Sequence, residues 1–223
     1  MARRSLCLWV LLCLGLTPVP SRAGYKVKPF SMSHAKVFAA SDSHDNIAVA
    51  AEPYDDTEKV LRVFDRDPAR ANYITVLIVV SNDSDMEIEL NSRLIELSRM
   101  RGGALYSTSA EDVVRDIFFS KSRPRSPAPK VGLGIPLGGN SNKDFESARI
   151  DFLSKELGDK FVAPHSTAYG FIFFKTQELG GALVGGKIYV PKVTVRRSKD
   201  TRQVGRDLMF YEIDLKPAII GKL

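Results

Sequence analysis

Cysteine and tryptophan are nearly missing from this chain, and the few present are confined to one end. Cys7, Cys13 and the single tryptophan, Trp9, all lie within the first thirteen residues. Past that point, disulfide frameworks, zinc–thiolate centres and cysteine nucleophiles are excluded. Histidine is scarce too. His34, His44 and His165 are the only three, and none stands in a His-x-x-x-His or Glu-x-x-His pair, so ligands for a transition metal are few. The longest apolar run, residues 6–16, is far short of the about 20 residues a membrane-spanning helix needs.

What those first residues do have is the pattern of a secretory leader. Arg3 and Arg4 form a basic start, residues 6–16 an apolar centre, and Thr17, Pro18 and Pro20 a helix break. Ser21-Arg22-Ala23 follows, with small residues where a signal peptidase reads them. Residues 1–23 are therefore expected to be a signal peptide cleaved before Gly24. A lipoprotein leader fits poorly, because Leu6 and Leu12 precede the two cysteines instead of small residues. The expected location is exported: periplasmic, cell-surface or extracellular, with no transmembrane segment left after cleavage.

Residues 24–223 then form one domain, large enough to bury a core without covalent staples. The formal net charge of +6 loses Arg3, Arg4 and Arg22 with the leader and falls to +3. The remaining charges of both signs are interspersed. No concentrated basic face is visible, so a nucleic-acid partner is not implied.

Hydropathy patterning predicts a β-rich domain. Short strands are expected at 35–40 and at 47–54, the latter ending at Pro53. Asp55-Asp56-Thr57 offers N-cap chemistry for a short helix with Val60, Leu61 and Phe64 on one face. Residues 73–80, Tyr-Ile-Thr-Val-Leu-Ile-Val-Val, are apolar on both faces, as a central buried strand requires. Met86, Ile88 and Leu90 alternate with Glu87, Glu89 and Asn91, the pattern of a half-exposed strand. With 93–98 and 104–106 they suggest an antiparallel meander over 73–106. Ser109 and Asp112 cap a helix ahead of Val113, Val114 and Ile117. Residues 120–142 form a Pro/Gly-rich loop, and 143–157 carry apolar residues at helical spacing. A strand at 170–176 precedes a closing hairpin, 187–195 with 207–215, around a charged tip at 196–206.

Motifs that could carry chemistry each have a plainer explanation. The glycines at 132, 134, 138 and 139 follow a Pro-rich stretch, enclose Pro136 and lack a following Lys-Ser or Lys-Thr, so they read as linker, not as a phosphate loop. Asp83, Asp85 and Glu87, like Asp42, Asp45 and Asn46, lack the glycine and distal bidentate acid of a calcium loop. His165 and Ser166 are neighbours, which on a strand point to opposite faces. No catalytic, cofactor or metal site is expected, and no cofactor is called for. Tyr54, Tyr169 and Tyr189 could form a sugar-stacking platform. The basic residues Arg123 and Arg125 in the loop, and Arg196, Arg197, Lys199 and Arg202 at the tip, are the candidate partner contacts.

Two stretches carry a resemblance. Ala50-Ala51-Glu52-Pro53-Tyr54-Asp55, entering a short helix, and residues 161–174, Phe-Val-Ala-Pro-His-Ser-Thr-Ala-Tyr-Gly-Phe-Ile-Phe-Phe, resemble segments of uncharacterised exported bacterial proteins with an immunoglobulin-like β-sandwich domain. In such domains a Pro-x-Ser-x-x-x-Gly turn feeds a strand ending in Phe. Here His165 stands where a turn glycine is usual. The resemblance implies a sandwich fold and supplies no activity.

The expected protein is thus mainly β: an immunoglobulin-like antiparallel β-sandwich with two or three short helices, spanning 24–223 as a single domain. Its expected role is a secreted or periplasmic non-catalytic binding module for an envelope protein or a glycan. The alternative is a secreted hydrolase with a carboxylate or histidine site.

Overall fold

In the computed structural model the described residues are 24–119, 139–177, 179, 183–191, 193–196, 206–207 and 210–220. The leader, most of the Pro/Gly-rich loop, and Arg123, Arg125, Arg197, Lys199 and Arg202 lie outside them.

The strands are β1 (Ser41–His44), β2 (Ile47–Pro53), β3 (Tyr73–Asn82), β4 (Glu87–Leu90), β5 (Glu96–Ser98), β6 (Ala104–Thr108), β7 (Lys160–Val162), β8 (Ser166–Lys175), β9 (Lys187–Val190), β10 (Thr194–Arg196), β11 (Arg206–Asp207) and β12 (Tyr211–Asp214). The helices are α1 (Thr57–Val63), α2 (Ala110–Phe119), α3 (Gly139–Lys155) and α4 (Lys216–Ile220). Eight strands form one sheet in the order β1-β2-β3-β8-β6-β5-β9-β12, and β11-β10-β4-β7 form a smaller one. Every pairing between strands is antiparallel.

A mainly antiparallel β architecture is what the sequence predicted, but the arrangement is barrel-like, not the expected sandwich. The large sheet curls until its first and last strands approach. There the Tyr211 hydroxyl donates to the His44 carbonyl at 3.3 Å, and the Glu212 amide donates to the Asp42 carboxylate at 3.3 Å. The His44 ring lies flat on Tyr211, 3.9 Å between centroids. Side chains close a seam that no backbone ladder spans.

The expected meander over 73–106 is also corrected. β3 pairs with β2 on one side and with β8 on the other, in register from Tyr73↔Lys175 to Asn82↔Ser166. A ten-residue strand buried along its whole length must satisfy every backbone group on both sides. β8 has the length to do it; the four residues of β4 do not. β4 joins the small sheet, and only β5 and β6 pair as consecutive strands of that region. The closing hairpin forms as expected but is split between sheets: β9 pairs β12 in the large one, β10 pairs β11 in the small one. Pro191, which has no amide hydrogen to give, sits between β9 and β10.

β3 separates two cores. Ile74, Val76, Ile78 and Val80 face the barrel interior with Leu97, Ile188 and Ile213. Leu77 and Val79 face outward, where Val60, Phe64, Val113, Val114 and Phe152 cover them. Phe64, Phe152, Phe171 and Phe173 interlock in this outer layer at centroid distances of 4.2–6.1 Å.

Helices α1 and α2 start where the sequence said, whereas α3 begins at Gly139, four residues ahead of the expected 143 and inside the expected loop, and α4 was not expected. The Asp56 carboxylate accepts the Glu58 amide, and Ser109 Oγ accepts the Asp112 amide at 3.2 Å. Gly170 is required where α3 exits against β8: a Cβ there would stand 2.4 Å from the Leu157 backbone. The strand expected at 35–40 is instead a 3-10 turn, Ala35–Val37, because His34 Nδ1 caps the Lys36 amide. Asn82, wholly buried, joins the two sheets. Its amide donates to the carbonyls of Met86, Val162 and Ala163, and its oxygen accepts from the Ser84 amide and hydroxyl.

Candidate binding face

The helices α1, α2 and α3 cover the outer surface of β2, β3 and β8 only. On β6, β5, β9 and β12 the outward side chains are uncovered among the described residues. Register fixes which residues share a row there. Tyr106 pairs Glu96, Glu96 pairs Tyr189, and Tyr189 pairs Glu212. Directly opposed residues project to the same face, so Tyr106, Glu96, Tyr189 and Glu212 form one transverse row. The adjacent row is Ala104, Ser98, Lys187 and Asp214. The residues between the two rows, Leu105, Leu97, Ile188 and Ile213, point inward to the barrel core.

The aromatics of this face are unequally open, Tyr189 being half-buried. Tyr106 is 64% exposed and Phe210 46% exposed, and Phe210 lies 5.1 Å from the Tyr189 ring. Lys187 bonds Glu212 at 2.5 Å, which holds its ammonium above the usual lysine range. Glu96, between the two tyrosines, has no ion-pair or hydrogen-bond partner among the described residues.

Of the tyrosines singled out from sequence, Tyr189 alone belongs to this face. Tyr54 is buried in the helix-covered layer against Phe171, where burial and then the Glu52 carboxylate push its hydroxyl up to about 12. Tyr169 packs edge-on against Phe30 in the same layer. Tyr106 and Phe210 went unrecognised. Tyr106 sits two residues from Ala104 in an alternating strand, but only pairing through β5 brings it into line with Tyr189.

The three histidines gather at one end of the barrel, each beside an aspartate. His34 Nε2 lies 3.0 Å from Asp83, whose other oxygen takes Lys36 at 2.7 Å. These bonds, Lys36 first, hold Asp83 down at about 2. His165 Nε2 lies 3.0 Å from Asp85, and His44 Nδ1 3.8 Å from Asp42. No group of three or more His, Asp or Glu that could hold a metal occurs among the described residues. Asp45 and Asn46 have positive φ, 53° and 60°, and form the two-residue turn joining β1 to β2. His165 has φ 52°, taking the left-handed conformation for which its position otherwise favours glycine. Of the acids weighed for calcium, Asp83, Asp85 and Asp42 face histidines, Asp45 forms a turn and Glu87 lies in β4.

A cleft of about 450 Å³ opens between α2, α3 and the barrel, with Ser92, Arg93, Glu111, Glu156 and Asp159 in its wall beside Leu153 and Phe171. Its carboxylates are engaged in the fold. Glu156 accepts the Ala110 amide at the start of α2 (2.9 Å), and Asp159 accepts the Ser92 amide and hydroxyl (3.1 and 3.2 Å). No histidine lines it. The hydrolase alternative gains nothing from this arrangement.

Of the basic candidate contacts, Arg196 alone is placed: it ends β10, opposite Glu87 of β4. Arg197, Lys199 and Arg202 follow it in sequence and lie outside the described residues.

The chain is therefore a mainly β, barrel-like protein in which, among the described residues, helices cover one half and leave the other open, and no helix is long and apolar enough to cross a membrane. No family model and no curated protein matches it. Among solved structures it is similar to a "putative lipoprotein" from Bacillus subtilis subsp. subtilis str. 168, at 12% identity and a TM-score of 0.35. That match covers 86% of this chain and 42% of the other, so the chain spans less than half of that protein's length. A likeness of this size carries no argument about fold or function.

Proposed function

We propose that the chain is an exported, non-catalytic binding module and that the outer face of β6, β5, β9 and β12 is its contact surface. The observation that carries this reading is the sheet face on which Tyr106 and Phe210 stand exposed beside the half-buried Tyr189. Exposed aromatics gathered on one face mark interaction sites, and Tyr106 and Phe210 lie on the half that the helices leave bare. The leader pattern of residues 1–23 supports export, and the structural use of the cleft carboxylates supports a non-catalytic role. The resemblance of residues 50–55 and 161–174 to exported bacterial proteins is retained for export alone and supplies no role. The basic stretch Arg196, Arg197, Lys199 and Arg202, with Arg123 and Arg125, is a second contact region on the same reading.

The test places a photo-crosslinking residue at Tyr106 or, as control, at Ile150, which is 63% exposed on the outer surface of α3. With isolated bacterial cell envelopes, saturable labelling from position 106 and none from 150 is the expected result. Equal labelling, or none from 106, overturns the face as the contact surface. The intact mass of the exported product tests cleavage before Gly24 directly.

A further inference from the structure

The row alternates aromatic and acid: Tyr106, Glu96, Tyr189, Glu212. Strands lie about 4.8 Å apart, so the two tyrosines stand about 9.5 Å apart with a carboxylate between them. We propose that this row binds an extended glycan, neutral or amino-bearing, laid across the strands; the proposal rests on the binding-module reading of the same face.

Three features select a sugar chain. Tyrosine rings offer flat π surfaces to the C–H faces of pyranose rings, and their hydroxyls stay wet. The Glu96 carboxylate, without a partner among the described residues, is placed to accept hydroxyl or amine hydrogens from the sugar held between the two rings. The third is the location of that charge. Protein–protein interfaces are depleted of charge at their centres and place it on the rim, whereas here Glu96 sits in the middle and the aromatics flank it. A polyhydroxyl ligand can satisfy a central carboxylate; an apolar protein patch cannot. The sign of the charge narrows the class further. Lys187 is already spent on Glu212 at 2.5 Å, which leaves the row net negative. Sulfated and uronate polymers are repelled, and neutral or amino sugars are admitted.

The full chain is tested for retention on cellulose, chitin and purified peptidoglycan sacculi, with dextran sulfate as the anionic probe. Retention by at least one of the first three is expected. Tyr106→Ala with Tyr189→Ala should reduce it at least tenfold, and Glu96→Gln several-fold. Should the double variant fail to fold, Tyr106→Ala alone serves, since that side chain is mostly in solvent. Retention by none of the three, retention unchanged in the variants, or retention on dextran sulfate alone overturns the glycan assignment. Saturable photo-labelling of an envelope protein from position 106, without polysaccharide retention, also overturns it while leaving the binding-module reading intact.

Discussion

The two halves of the barrel share one interior and differ only in what they show outside. On β2, β3 and β8 the outward residues are apolar: Ala48 and Ala50, Leu77 and Val79, Phe171 and Phe173. Three helices cover them. On β6, β5, β9 and β12 the outward residues are Tyr106, Glu96, Tyr189 and Glu212, and none of α1, α2 and α3 covers them. Strands apolar on both faces need cover on both; strands that alternate can stand with one face in water. The helix-covered half is where stability is made. The open half contributes one wall of the core and leaves its other face available.

This division can be broken by mutation, and the largest effect belongs to the covered half. Phe152→Ala removes a fully buried ring packed on Phe64 and Phe173 and should cost about 3–5 kcal/mol in urea unfolding. Tyr106→Ala, on the open half, should stay within about 0.5 kcal/mol. Comparable losses at the two sites would end the distinction.

Asn82→Ala comes next, at about 3 kcal/mol. It strands the carbonyls of Met86, Val162 and Ala163 where the two sheets join. Faster hydrogen exchange in β4 and β7 than in β2 should accompany the loss; uniform exchange would mean the small sheet does not depend on this residue.

The seam should yield less. Tyr211→Phe keeps the ring stacked on His44 and deletes the hydroxyl that reaches the His44 carbonyl, for about 1 kcal/mol. Protection of β1 amides is the readout, and unchanged exchange there would show that stacking alone holds the barrel shut.

The smallest effect is a pH dependence. Asp83 is depressed from its ordinary 3.8 to about 2 by Lys36 and His34. A carboxylate whose folded value is lowered stabilises the folded state above its unfolded value, and that contribution is lost as pH falls through the folded value. Between about pH 4 and pH 2, the His34–Lys36 turn should loosen from the β3–β4 connection, seen as chemical-shift changes at Ala35 and Lys36. Asp83→Asn should abolish that transition. Its persistence in the variant would place the titration elsewhere.

Much of this was legible beforehand. The two-faced apolar run at 73–80, the Asp56 and Ser109 caps, and the helical spacing of Phe145, Ala148 and Phe152 each declare an element through local chemistry. The hairpin of β9 with β12 was readable for the same reason. Pairing was not. Nothing in residues 86–90 says that β4 deserts its neighbour β3 for β10 and β7, since that follows from β8 matching the full length of β3. Tyr54 and Tyr189 look alike in sequence, yet one ends beneath helices and the other on an open sheet.

The sequence by itself therefore determined the long buried strand, the half-exposed strands and the capped helices, which of their faces must be buried, and which chemistries are excluded by the confinement of cysteine to positions 7 and 13 and the scarcity of histidine. These are properties of residues near one another along the chain, set by side-chain periodicity and backbone capping. Only the tertiary structure decided that eight strands curl into a barrel instead of stacking as a sandwich. It also decided that Tyr106, Glu96, Tyr189 and Glu212 share one row. A row that crosses four strands is built from backbone hydrogen bonds between residues far apart in sequence, and no local pattern encodes that register.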